Sequence, residues 1–392
     1  MGFSKVFKEL VERKERAEEG KYNCIPFPFP RFRQLMPGVE RGRYLVVTAG
    51  QKIGKSKFTD FMFVYELLFF AAENPNFHFK VLYFTLEMSP EAKYIEFLSH
   101  LLFRLDNKIV SPTQLRSTDS RYPIPDEILN LLNSERYQKY IKLFEESVEF
   151  YEVSNPTGIN KICREYAEKH GTFNHIPYVT VNEVTGQEET KLRLDPSNPY
   201  TQDNPEEYRI VIVDNAANLT SEKGMNKMET IDKLSKYFII LRNQLKYVLV
   251  LIQHQALSKE GLESFKMDQM KPSSDGLADC KTTSRDCDML IGIYSPFKFG
   301  KDKYEGYDIK RLKNYSRFME IIEDRNYGAN NNICPLFFNG ASSTWSELPK
   351  VDDTPAMNAV YDYIDRIEKK KRDKIFFVKI KQLFNKVKWV KL

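Results

Sequence analysis

The chain has 392 residues, 42% of them hydrophobic, with 28 Phe and 22 Tyr, which is too apolar for a wholly disordered chain and enough for one large core with attachments. The net charge is +5, yet residues 369–392 hold ten Lys and Arg against Asp373, a local charge of +9. The other 368 residues therefore carry about −4, the total of +5 less the tail's +9, and this excludes a uniformly basic nucleic-acid surface.

Phe3, Val6, Phe7, Leu10 and Val11 recur at helical spacing and predict a short amphipathic helix over residues 3–19. It has nothing local to pack on, so docking on another surface and packing on its own domain both stand. Met1-Gly2-Phe3-Ser4-Lys5-Val6 starts like a myristoylation signal but has Val6 where Ser or Thr is required. Pro26-Phe27-Pro28-Phe29-Pro30 excludes helix interior and predicts an extended linker. Residues 1–30 are therefore expected to be a helix and linker ahead of a domain spanning 31–350.

Tyr44–Thr48 predicts a buried strand that runs into Ala49-Gly50-Gln51-Lys52-Ile53-Gly54-Lys55-Ser56 and then an apolar helix, Phe58 to Ala72. Strand, glycine-containing loop and helix form the phosphate-binding pattern G-x-x-x-x-G-K-[ST], with Ala49 in place of the first Gly. Backbone N–H groups from Ala49 to Ser56 would cradle phosphates at a helix N-terminus. Lys55 would supply a charge for the β- and γ-phosphates, and the Ser56 hydroxyl a Mg²⁺ ligand. ATP and Mg²⁺ are the expected cofactors.

The next strand, Lys80–Leu86, ends in Glu87, a carboxylate placed where open α/β sheets bind ligands and able to deprotonate an attacking water. Tyr208–Val213 ends in Asp214, the Walker-B arrangement in which an acid holds the Mg²⁺ shell. Tyr247–Ile252 ends in Gln253, either a γ-phosphate sensor or an ordinary loop residue. Met289–Tyr294 and Met319–Ile322 are further strand candidates. Tyr178–Val181 and Leu192–Leu194 flank Thr185-Gly186 as a β-hairpin, within a surface insertion assigned to 172–207. In the tail, assigned to 351–392, Phe376, Ile380, Leu383, Val387 and Val390 share one helical face, with Lys374, Lys381 and Lys388 elsewhere on the wheel. A basic amphipathic helix suits a partner groove, an anionic membrane surface, nucleic acid, or its own core.

These blocks, in this order, resemble DnaB-type replicative helicases, a family that includes the mitochondrial Twinkle group. Its phosphate loop also begins with Ala. Tyr83-Phe84-Thr85-Leu86-Glu87-Met88-Ser89 is similar to the family block whose Glu is the catalytic base. Val211–Asp214 is similar to its Walker B, Val250–Gln253 to its glutamine sensor strand, and Asp286-Cys287-Asp288 to its Asp-x-Asp pair. Arg325-Asn326-Tyr327-Gly328 is similar to the block that carries its arginine finger. The resemblance covers roughly residues 28–340. It implies a RecA-like α/β core with a mostly parallel sheet, a hairpin insertion and helical terminal extensions. A finger acting in trans implies a head-to-tail homo-oligomer, a hexameric ring, on single-stranded DNA. A phage or mobile-element source and a replication partner for the C-terminal tail are further expectations.

The chain also departs from the family. The N-terminal helical domain that docks primase has no counterpart in the roughly 40 residues before the core. Glu323 replaces a Lys two residues before the finger, and Ala278-Asp279-Cys280-Lys281 replaces an Arg-Glu-Ser-Gly loop that contacts DNA. Lys271, Lys281 and Arg285 are the candidate substitutes. ATP hydrolysis is expected to survive these changes, and strand translocation is what they bear on. A DNA-dependent ATPase without unwinding, such as a recombination or loading factor, is the alternative; a non-enzymatic assembly protein would need neither Glu87 nor Arg325. The five scattered Cys lack zinc spacing, no apolar run is long enough for a membrane span, and a cytoplasmic protein is expected.

Overall fold

Arg43–Ala49 (β1) is the central strand of a nine-stranded sheet, and the other strands are placed around it. The computed structural model describes residues 3–182, 184, 186–256, 270–326 and 332–369. In chain order the remaining strands are His78–Thr85 (β2), Val148–Tyr151 (β3), Glu207–Asp214 (β4), Val248–His254 (β5), Met289–Tyr294 (β6), Ser316–Asp324 (β7), Ile333–Asn339 (β8) and Thr344–Glu347 (β9). They lie in the order β3-β2-β4-β5-β1-β6-β7-β8-β9. Strands β3 to β6 in that order are parallel, and β7, β8 and β9 extend the sheet in antiparallel fashion.

Parallel strands covered on both faces read as unbroken apolar runs, and β1 shows why. Leu45 and Val47 point into one core, with Phe58 and Phe97, while Tyr44 and Val46 point into the other, with Phe238 and Leu241. The first face is covered by Lys55–Asp60 (α2), which continues through a π-helical turn, Phe61–Tyr65, into Glu66–Glu73, and by Pro90–Asp106 (α3). The second is covered by Pro156–Lys169 (α4) and Lys227–Leu245 (α5). Strands β3, β8 and β9 were not among the sequence expectations; β3 is only four residues long.

The proline-rich segment is extended, as its composition suggests, and it is packed against the domain. Ile25, Phe27 and Phe29 alternate with Pro26 and Pro28, so an extended backbone turns all three onto one face, where they are buried. Phe29 stacks on Phe58 and Phe61 at centroid distances of 6.2 and 6.1 Å. The predicted N-terminal helix forms over Phe3–Glu18 (α1), held by Arg13 to Glu40 at 2.8 Å and Arg16 to Glu206 at 2.6 Å. Its apolar residues Phe3, Phe7 and Leu10 stay exposed. The hairpin also forms, with His175–Val181 antiparallel to Glu188–Leu194 outside the main sheet. Residues 354–369 are helical, and the tail positions from 370 onward lie outside the described residues. Among the described residues, no helix is long and apolar enough to cross a membrane.

Candidate functional site

The C-terminal ends of β1, β2, β4 and β5 meet at one edge of the sheet, and the expected nucleotide residues collect there. The chain leaves β1 at Ala49, turns through Gly50–Gly54 and enters α2 at Lys55. Gly54 is the helix cap at φ 110°, a conformation open to glycine, and an added Cβ would sit 3.3 Å from the Phe338 and Trp345 rings. Arg317 fixes this loop from the antiparallel side by donating from Nε to the Ile53 carbonyl at 2.9 Å. Lys298 does the same at the Gln51 carbonyl, at 2.9 Å.

Lys55 is buried and folds back over the loop. Its ammonium donates to the Ala49 and Gly50 carbonyls at 3.2 and 3.1 Å and to His254 Nδ1 at 2.9 Å. Ser56 Oγ donates to Asp214 Oδ1 at 2.9 Å. Two adjacent oxygen donors beside a phosphate loop fit a small hard cation that keeps waters and phosphate oxygens as its other ligands, as Mg²⁺ does. Glu87 is exposed one residue beyond Leu86, whose N–H donates to the Asp214 carbonyl at 2.8 Å, so the two acids lie at neighbouring strand ends. The Asn215 amide donates to the Glu87 carboxylate.

Behind Asp214 lies a charged cluster that the sequence pattern does not reveal. Lys93 of α3, 2% exposed, donates to Asp60 Oδ2 at 2.9 Å, Tyr83 Oη at 2.8 Å and Asp214 Oδ2 at 3.2 Å. Tyr83 Oη lies 2.8 Å from Asp60 Oδ1 and 3.1 Å from Asp214 Oδ2. Burial opposes the Lys93 charge, but Asp60 and Asp214 outweigh it and raise its pKa above the ordinary lysine value. Burial pushes Asp60 up to about 6, against the pull of Lys93.

Gln253 is not directed at the loop. Its amide donates to the Ala278 and Cys280 carbonyls at 2.6 and 2.7 Å and accepts from Thr283 Oγ1 at 2.7 Å. Successive strand residues point to opposite faces, and His254, the next one, is what reaches Lys55. The His254 carbonyl also accepts from the Ala278 N–H at 2.9 Å, so the end of β5 ties the phosphate loop to segment 278–283.

Arg325 sits at the other edge of the sheet. Asp324 pairs with Met289, which pairs with Leu45, and Arg325 Nη1 is 3.9 Å from Asp288, whose Oδ2 accepts from the Tyr44 N–H at 2.8 Å. From Tyr44 to the loop after Ala49 is a strand length of about 15–20 Å at ~3.3 Å per residue. The Arg325 side chain is 50% exposed and donates to the Arg285 carbonyl. Asp286 accepts from Ser235 Oγ at 2.7 Å, so the Asp-x-Asp pair braces this edge. Lys281 and Arg285 are exposed at either end of the short helix Thr282–Asp286, whereas Lys271 is half-buried over the Tyr304 ring, 4.8 Å from its centroid. Lys259 and Lys266 of the same region, and Tyr327 and Gly328 of the finger block, lie outside the described residues.

A cavity of about 430 Å³, lined by Phe297, Asn314, Tyr315, Phe338 and Asn339 among others, opens next to Gly54 on the antiparallel side. Among the described residues, the buried Asn339 Nδ2 donor meets no hydrogen-bond partner.

No protein-family model matches the sequence, and no curated protein matches it. Among solved structures, the chain is similar to one solved as an ATPase domain, with a TM-score of 0.56 and 14% identity over 88% of this chain and 99% of that one. It is also similar to a "DnaB-Like Replicative Helicase" solved for its interactions with primase, with a TM-score of 0.58 and 12% identity over 86% of this chain and 66% of that one. The fold is thus that of RecA-like ATPase domains of the DnaB-like helicase type.

Proposed function

We propose that the chain is an ATP-driven motor of the DnaB-like kind, a ring-forming helicase that translocates on single-stranded DNA. The observation that carries the reading is the division of the expected catalytic groups between opposite edges of one sheet. Lys55, Ser56, Asp214 and Glu87 share the C-terminal edge, while Arg325 projects from the other. An arginine so placed cannot reach the nucleotide of its own subunit. It suits the nucleotide of a neighbour stacked head-to-tail, a contact that gives a ring when its rotation closes, and a closed ring is the assembly proposed here.

In this reading the backbone from Ala49 to Ser56 and the Lys55 ammonium bind the ATP phosphates, and the cavity beside Phe338 takes the nucleoside. Mg²⁺ held by Ser56 and, through its shell, Asp214 would neutralise charge on the phosphates. Glu87, fixed by Asn215, removes the proton from the attacking water. His254 and Lys55 face the γ-phosphate, and Arg325 from the next subunit stabilises the charge that develops as the bond breaks.

ATPase rate with and without single-stranded DNA, paired with unwinding of a forked duplex, tests the proposal. Stimulated hydrolysis with unwinding is expected. A DNA-dependent ATPase without unwinding is the second reading, favoured by segment 278–283, which Gln253 fastens down and which lacks the Arg and Gly of the family's DNA loop. Stimulated hydrolysis without unwinding would select it.

A further inference from the structure

We propose that Lys93 is a positioning residue for the metal-facing carboxylate: with Tyr83 it clamps one oxygen of Asp214 so that the other is presented beside Ser56. The inference rests on the ATPase reading above and concerns how this chain prepares its magnesium site.

All three Lys93 donors are used, on Asp60 Oδ2, Tyr83 Oη and Asp214 Oδ2, which accounts for its full hydrogen-bonding capacity. The two Asp214 oxygens have divided tasks, since Oδ2 faces this clamp and Oδ1 faces the Ser56 hydroxyl. Asp60, buried on α2, accepts from Lys93, shares the single Tyr83 hydroxyl proton with Asp214 Oδ2, and supplies the charge that lets a lysine be buried here.

The cluster is a poor choice if packing were its purpose. Lys93 lies on the buried side of α3 with Phe97 and Leu101, where an apolar side chain would pack. Buried ion clusters can often be replaced by apolar groups at no loss of stability, because desolvation offsets the attraction. What an apolar residue cannot do is hold a carboxylate in one rotation. A free Asp214 could turn both oxygens away from Ser56 or receive a second cation in their place; a fixed one keeps a single oxygen open toward the site.

The test compares affinity for the fluorescent N-methylanthraniloyl ADP in Mg²⁺ and in EDTA. The central variant is Lys93→Met with Asp60→Asn, which removes one positive and one negative charge and so leaves the net charge around Asp214 unchanged. Wild type is expected to bind at least about tenfold tighter in Mg²⁺, a gain that the Ser56 and Asp214 oxygens supply. The double variant is expected to keep its melting temperature and its affinity in EDTA but to lose most of the magnesium gain. Tyr83→Phe, a milder change that removes one hydroxyl, is expected to lose about threefold of that gain, on the scale of one hydrogen bond. If both variants keep the full magnesium gain, the clamp is overturned while the ATPase reading stands. If the wild type binds no nucleotide at all, the ATPase reading falls and the clamp falls with it.

Discussion

The Lys55 ammonium and the His254 imidazole lie 2.9 Å apart across the gap between β1 and β5. The contact joins the phosphate-loop lysine to the end of a strand whose backbone holds Ala278. Phosphates entering the loop compete with His254 and the two loop carbonyls for the same ammonium. In the proposed reading His254 would then face the γ-phosphate as a donor. His254→Ala should therefore leave the ATP dissociation constant within about threefold but slow turnover by roughly 10- to 100-fold, as for loss of one preorganised donor to developing charge. An unchanged turnover rate would remove His254 from the site.

Lys55 and Glu87 should fail differently. Lys55→Ala should lose nucleotide affinity along with turnover, since its charge meets the ground-state phosphates. Glu87→Gln should bind ATP normally and hydrolyse it at least about 10²-fold slower, as for removal of a general base. Equilibrium binding beside single-turnover hydrolysis separates the two, and wild-type hydrolysis by Glu87→Gln would refute its assignment as the base.

Arg325 stands a strand length from its own phosphate loop, so its loss should be repaired between subunits. Arg325→Ala alone should cost on the order of 10³–10⁵ in rate. Mixing it with inactive Lys55→Ala should restore part of the ATPase activity, because some interfaces then pair an intact loop with an intact finger. Mixtures that co-assemble by light scattering yet stay inactive would count against a trans role.

The buried His100 provides a pH-dependent stability term. It stacks on Tyr65 at 4.7 Å, faces Glu66 at 3.8 Å with Arg104 beyond, and burial depresses its pKa from 6.5 to about 3. A depressed folded pKa means that the unfolded chain takes up the proton first. The stabilisation is present above pH 6.5 and is lost as pH falls toward 3, by on the order of a few kcal/mol. Denaturant midpoints of His100→Phe should fall less than those of wild type across that window; parallel curves would show that another group sets the slope.

The sequence made the parallel half of this fold legible for a physical reason. Strands buried on both faces, such as β1, β4 and β5, are unbroken apolar runs, and the phosphate loop carries its own spacing. Lys93 was hidden because a lysine in a helix reads as solvated; only its place three and four residues before Glu96 and Phe97 marks the buried side. His254 was hidden by strand alternation, since a choice between Gln253 and its neighbour needs the register of β5 against β1. The placement of Arg325 needed the antiparallel pairing of β7 with β6, a long-range relation with no local pattern.

Single-stranded nucleic acid is expected on the segment that carries Lys281 and Arg285. Lys281 and Arg285 are exposed on a helix that Gln253, Thr283 and the Arg285 carbonyl link to both edges of the sheet. Lys271 is engaged over Tyr304 and is the weaker candidate. The competing site is the +9 tail of residues 369–392, which would bind any polyanion. Lys281 lies in a segment tied to the end of β5, beside Lys55, so its affinity for DNA should depend on bound nucleotide; the tail has no such requirement. Deleting 369–392 should lower general affinity for single strands and preserve the ATP-dependent part. Lys281→Ala with Arg285→Ala should abolish the ATP-dependent part and flatten the salt dependence by about 0.7 per lost contact. The opposite pattern, in which the tail deletion removes ATP-dependent binding and the double substitution leaves it intact, would move the nucleic-acid site to the tail and favour an ATPase that does not unwind.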